Sequence, residues 1–215
     1  MVKKILIFSG DHPRHLYVNS LIMKKNFKCA AVIMKREKFV PNNPKFLNSL
    51  DEKNYKKHFE ARKNEELKAF GNLKVDIVFK NTPKIQCVAD KLNSDKVIKF
   101  VKKFSPDLGF IFGAGLIKKR LMNVLPKNTI NLHLGLSPYY RGSATLFWPF
   151  YFLLPQYAGI TFHKISKHID EGPILHQSVP KLEFGDKIHK VAVKAVIKSK
   201  KDLNKILNGF EKRKK

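Results

Sequence analysis

Acidic residues are scarce in this sequence. The 215 residues hold 17 Asp and Glu against 43 Lys and Arg, a net charge of +26. Cysteines number two, Cys29 and Cys87, too few for a disulfide framework; their apolar surroundings predict buried thiols in a reducing cytoplasm. No apolar run reaches the ~20 residues that cross a bilayer, which excludes a membrane-spanning chain. The start, MVKKILIFSG, has no small-residue cleavage site and reads as a first strand, not a signal peptide. There is no internal repeat, and no low-complexity stretch except the basic end EKRKK. No His-Glu-x-x-His or paired-cysteine spacing supports a metal site, whether from His12 and His15 or from His163 and His168. Gly113-Ala-Gly115 lacks the third glycine of a dinucleotide fingerprint.

What is abundant is lysine. A charge of this size points to an acidic partner, nucleic acid included. Yet only six basic residues are arginine, the side chain suited to bidentate phosphate and base recognition. The lysines are spread along the chain and are not interleaved with aromatics at its end, which argues against a nucleic-acid partner.

Apolar runs and turn residues predict the layout. Strands are expected at 3–9, 27–35, 74–81, 105–115, 128–135, 159–166 and 173–180. Helices are expected at 14–26, in the charged stretch ending at Gly71, at 88–104 and from Lys187 onward. The alternation predicts an α/β, Rossmann-like domain with a mostly parallel central sheet flanked by helices. Its limits are placed at 1–185, with a lysine-rich helix and tail at 186–215. In such sheets, sites form beyond the carboxyl ends of the strands.

The stretch TINLHLGLSPYYRGSATLFWPFY lies at such an end. Asn131 and His133, two apart on a strand, share a face, and a polar pair there is costly unless partnered or used. Gly135, Ser137, Pro138 and Gly142 define the following loop, which carries Tyr139, Tyr140 and Arg141. Farther on, GITFHKISKHIDEGPIL places Asp170 in a turn before Gly172 and Pro173.

Asn-x-His, a loop with Pro and Arg-Gly, Gly-x-Thr-x-His, and then Asp-x-Gly-Pro-Ile some 37 residues after the His together resemble the 10-formyltetrahydrofolate-dependent formyltransferases. The likeness is strongest over residues 105–180. It implies catalytic roles for Asn131, His133 and Asp170. It implies a folate pocket along Gly113, Ala114, Gly115, Leu116 and Ile117, and along Ile165, Ser166, Lys167 and His168. It also implies no metal, and it leaves room for a homodimer.

Within that family HLGLSPYYRGSAT is most similar to the sugar N-formyltransferases, such as those acting on GDP-perosamine-type sugars. The implied acceptor is the amino group of a nucleotide-linked amino sugar for surface polysaccharide (lipopolysaccharide or O-antigen). His12 and Arg14, with neighbouring His15, and Tyr139, Tyr140 and Arg141 become candidate acceptor contacts. Two alternatives stay open. One is a glycinamide ribonucleotide formyltransferase, although that enzyme's glycine- and serine-rich phosphate loop is replaced here by SGDHPRHLYVNS. The other is a non-catalytic polyanion-binding protein on the same fold. A methionyl-tRNA formyltransferase would carry a further C-terminal domain, and barely 35 residues follow Pro180.

Overall fold

A computed structural model describes residues 3–212. In chain order, β1 (Lys4–Gly10) is followed by α1 (Pro13–Met23), β2 (Lys28–Met34), α2 (Ser49–Phe70), α3 (Val75–Val78) and β3 (Lys84–Cys87). Next come α4 (Asp95–Phe104), β4 (Leu108–Phe112), α5 (Lys119–Met122), β5 (Thr129–His133) and α6 (Trp148–Tyr151). The described chain closes with β6 (Ile160–Lys164), β7 (Ile174–Ser178) and α7 (Ile188–Lys212). The basic residues 213–215 lie outside the described residues.

The strands form one sheet in the order β3-β2-β1-β4-β5-β6-β7. All pairings up to β4–β5 are parallel, whereas β5–β6 and β6–β7 are antiparallel. The architecture is therefore the expected mostly parallel α/β sheet. Strand β1 shows why its sequence has no polar alternation. Ile5 and Ile7 enter the core beneath α1 and α7, while Leu6 and Phe8 enter the core beneath α4, so both faces are covered.

Each flanking helix follows from its sequence. In α4, Val97, Ile98 and Val101 make one buried stripe, and the lysines between them stay in water. In α2 only Glu66 and Phe70 are buried; Asn48 caps its start by accepting from the Asp51 N–H at 2.8 Å, and Gly71 ends it with φ of 69°. Helix α7 buries Val191, Ala195, Leu203 and Leu207 in the core shared with α1.

Two expectations need correction. VDIVFKN does not form a strand: Val75–Val78 is a short helix whose Val75 and Val78 pack, with buried Phe79, against the core while Ile77 faces water. Four residues in a row fit a buried strand and a buried helical turn equally well, and packing decides between them. The edge strand is instead Lys84–Cys87, half-exposed and paired only with β2. Cys87 on that edge is only partly covered, while Cys29 is buried and its thiol is pushed up to about 11 by burial.

Candidate active site

Strand β5 ends at His133, so Asn131 and His133 reach the carboxyl end of the parallel strands on one face. Strand β6 runs antiparallel beside it, which sets His163 directly opposite Asn131. Asp170 arrives on the connection from β6 to β7. Its φ of 52° is left-handed, a conformation aspartate tolerates better than most residues. The path around it is closed by Gly172, where a Cβ would lie 1.6 Å from the Lys164 carbonyl oxygen.

The Asp170 carboxylate joins the elements. Its Oδ1 accepts from Asn131 Nδ2 at 3.2 Å and lies 3.3 Å from His163 Nε2. Its Oδ2 accepts from the Gly142 N–H at 3.0 Å and lies 3.3 Å from His133 Nδ1. Burial pushes its pKa up. The His163 contact, the neighbouring His133 and the Gly142 N–H outweigh burial and hold the carboxyl below its ordinary value. Asp170 is thus an anion at neutral pH.

Partners assign the tautomers. His163 Nδ1 is 2.9 Å from the Lys164 carbonyl, which can only accept, so Nδ1 carries the hydrogen. Its Nε2 lies between Asn131 Nδ2 at 3.1 Å and Asp170 Oδ1 at 3.3 Å. The Asn131 amide thus donates to Asp170 and touches His163. His133 Nε2 is 2.7 Å from the Tyr140 carbonyl and must donate to it, which leaves its Nδ1 lone pair facing Asp170. Burial lowers the His133 pKa, and the pull of Asp170 and of the Tyr140 carbonyl only partly offsets this. The ring rests neutral at pH 7. A second proton, at Nδ1, would complete a bond to Asp170.

These groups lie in a cleft of about 630 Å³. Of the residues expected at a folate pocket, Gly113 to Ile117, Ile165, Ser166 and His168 line it and Lys167 does not. At Gly113 (φ 75°) a Cβ would meet the His15 ring at 2.2 Å, so only glycine fits. Of the expected acceptor contacts, Arg14 lines the cleft while His12, Tyr139, Tyr140 and Arg141 do not. His12 is buried beneath Phe39, Tyr139 and Tyr140 lean on Tyr157, and Arg141 pairs with Glu171. Sequence reasoning weighed His163 only as a metal ligand. Its signal is the Gly-x-Thr-x-His spacing, which needs the antiparallel pairing to acquire a meaning.

His15 sits behind the cleft, 2% exposed. Arg14 Nε donates to its Nε2 at 3.2 Å, which a proton there would displace. Burial, and then the charges of Arg14 and of other arginines nearby, hold its pKa well below 6.5. A histidine depressed in the fold contributes stability that is complete above its unfolded pKa and lost as pH falls below it. His15 alone should then cost up to about 1.4 kcal/mol per pH unit below about 6.5. Urea unfolding at intervals from about pH 7.5 down to about pH 5 measures this. An unchanged stability over that span would contradict the burial of a neutral His15.

The family model described as Formyl transferase matches residues 60–203. Methionyl-tRNA formyltransferase of Borrelia turicatae is 36% identical over 110 residues, covering 50% of this chain and 34% of that protein. The bifunctional polymyxin resistance protein ArnA of Wigglesworthia glossinidia brevipalpis is 34% identical over 119 residues, covering 54% of this chain and 18% of that one. The matched stretch thus spans about a third or less of the length of these relatives. Among solved structures, phosphoribosylglycinamide formyltransferase of Bacillus halodurans superposes with a TM-score of 0.64 at 16% identity, over 99% of this chain and 97% of that one. A Mycobacterium tuberculosis protein taken for a sugar N-formyltransferase superposes at 0.56 and 16% identity, over 97% and 67%.

Proposed function

This chain belongs to the formyl transferase family, and from that premise we propose that it moves a formyl group from 10-formyltetrahydrofolate to the amino group of a nucleotide-linked amino sugar. The observation that carries the reading is the convergence of Asn131, His133 and His163 on the one Asp170 carboxylate at the floor of the cleft.

The residues present fit the folate. The cleft is walled by residues 113–117, two of them glycines, and by apolar Ile111, Leu132 and Ile165, which suits a flat heterocycle with a polar edge. When bound, the folate supplies a formyl carbon carried on a nitrogen that can leave.

The chain's own groups then divide the work. Asn131 can release the hydrogen it gives Asp170 and offer it to the formyl oxygen as negative charge builds there. In comparable sites one such donor is worth roughly 3–4 kcal/mol. His133 takes up the proton shed by the attacking amine at Nδ1, where Asp170 Oδ2 stands 3.3 Å away to share it. The imidazolium so formed is held at both ends, by Asp170 and by the Tyr140 carbonyl, and is poised to return the proton to the departing nitrogen. His163 touches Asn131 and Asp170 and serves as a positioning residue.

The acceptor assignment rests on the loop from His133 to Thr145 and on what fills the space beyond β1. There the imidazoles of His12 and His15 stand where a phosphate-cradling loop would need open backbone, which disfavours glycinamide ribonucleotide. The test is an assay of tetrahydrofolate release across GDP-, dTDP- and UDP-linked amino sugars, with glycinamide ribonucleotide and methionyl-tRNA alongside. Release with one amino sugar is expected, and Asn131→Ala or His133→Ala should abolish most of it. Release only with glycinamide ribonucleotide or methionyl-tRNA would overturn the acceptor. No release with any acceptor, and no folate binding, would overturn the chemistry.

A further inference from the structure

A second cavity of about 850 Å³ opens between α2, α7 and residues 143–148. It adjoins the cleft that holds Asp170, because Arg14, Arg36 and Ser143 to Thr145 line both. Its composition is unlike the rest of the chain. The sequence has six arginines among 43 basic residues, and three of the six, Arg14, Arg36 and Arg62, come together here from α1, the end of β2 and α2.

Their charges are not balanced within the cavity. Glu66 pairs with Arg14 at 2.5 Å and Glu37 with Arg36 at 3.3 Å. Arg62 spends one nitrogen on the Phe39 carbonyl at 3.0 Å and lies over the Phe59 ring at 4.6 Å, with no carboxylate in ion-pair reach among the described residues. The Nε atoms of Arg36 and Arg62 are buried without a partner. Nearby histidines register the surplus: burial first, and then Arg62, lowers the pKa of His58, while burial, His58 and Arg62 take His189 down to about 4. Three guanidiniums against two carboxylates, with buried donors to spare, describe a site short of an anion. Phe147, Trp148 and Tyr55 supply flat apolar walls beside them. The first turn of α1 cannot compete for that anion, because the His12 ring closes it, stacked on Phe39 at 4.6 Å.

We propose that this cavity seats the nucleoside diphosphate of the acceptor, with its phosphates on Arg36 and Arg62 and its base against Phe147 and Trp148. Its place next to Asp170 makes this an extension of the amino-sugar reading and rests on it, whereas nucleotide binding can be measured alone. The phosphate end is fixed by guanidinium forks, and the sugar then points through the shared lining toward His133.

Trp148 is the chain's single tryptophan, so its fluorescence reports this cavity and nothing else. Titration with UDP, GDP and dTDP should quench it for at least one of the three, with affinity falling as salt rises. Arg62→Gln should weaken that binding about tenfold or more, the value of a lost hydrogen bond to a charged group. Arg36→Gln gives the same reading without disturbing the bond to Phe39, should Arg62→Gln lower the melting temperature. Arg120→Gln, on α5, which lends no residue to this cavity, should leave the affinity within about twofold. No quench by any of the three, or a quench that both cavity variants leave unchanged, overturns the proposal. Calorimetric titration with tetrahydrofolate separates the two readings. Folate binding without nucleotide binding defeats the nucleotide site and spares the formyl chemistry. Arginine-dependent nucleotide binding without folate binding does the reverse.

Discussion

Replacing Asp170 with asparagine is expected to lower turnover by about 10²–10⁴-fold, the range spanned by general acid–base and base-orienting groups, with the fold preserved. The side chain is isosteric, and an amide oxygen can still accept from the Gly142 N–H. What changes is the partner of His133. The amide oxygen that keeps the Gly142 bond stands at the Oδ2 position, still 3.3 Å from Nδ1, but without the negative charge that invites a proton there. The pH profile tests the cause. Asp170 raises the His133 pKa against the burial that lowers it. Without that charge the ring protonates only at still lower pH. The acid limb of kcat/KM, which lies below about 6.5 in the parent protein, should therefore move to lower pH in the variant. A limb that moved upward, or a rate within about tenfold of the parent, would remove Asp170 from the proton path.

Gly172→Ala should show the largest loss of stability. The added methyl would meet backbone, 1.6 Å from the Lys164 carbonyl oxygen and 2.7 Å from its carbon, so no rotamer change relieves it. The Lys164 N–H also bonds the Pro173 carbonyl at 2.9 Å, and β6 already shifts register at Phe162/His163. Accommodating the methyl pulls β7 from β6 and displaces Asp170 two residues away. A destabilisation of about 3 kcal/mol is expected, lowering Tm by about 6–12 °C in a chain of this size. Molecules that remain folded should turn over as poorly as Asp170→Asn. Gly209→Ala is the control, since its Cβ meets nothing within 4 Å and lies on a helix. It should hold or slightly raise Tm. Equal melting of the two variants would mean that β6 and β7 part more easily than their pairing implies.

Much of this architecture was legible in the residues. The runs ILIF and LGFIF read as strands covered on both faces, and the spacing of Val97, Ile98 and Val101 set a helix. Asn131 and His133 stood out because polar groups ending an apolar strand need partners, and Asp170 joined them only through the family resemblance. Three things were not legible. VDIVFKN carries a periodicity too short to separate a strand from a helical turn. His163 gains its role only through the change to antiparallel pairing at β5–β6, a non-local fact. The gathering of Arg14, Arg36 and Arg62 joins three separate elements, so sequence position gives no hint of it, although the rarity of arginine could have prompted the question.

The order of strands also has a consequence for synthesis. Translation delivers Asn131 and His133 first, His163 thirty residues later than His133, and Asp170 last of the four. Strands β1, β2 and β4, which lie at the middle of the sheet, are all synthesised before β5 and emerge ahead of it. A nascent chain can thus assemble its parallel core while the end of β5 still stands open to water. The carboxylate that partners the polar pair emerges only afterwards, on the turn after β6. Stalled or truncated products that end before that turn carry the Asn–His pair without the carboxylate that both side chains face.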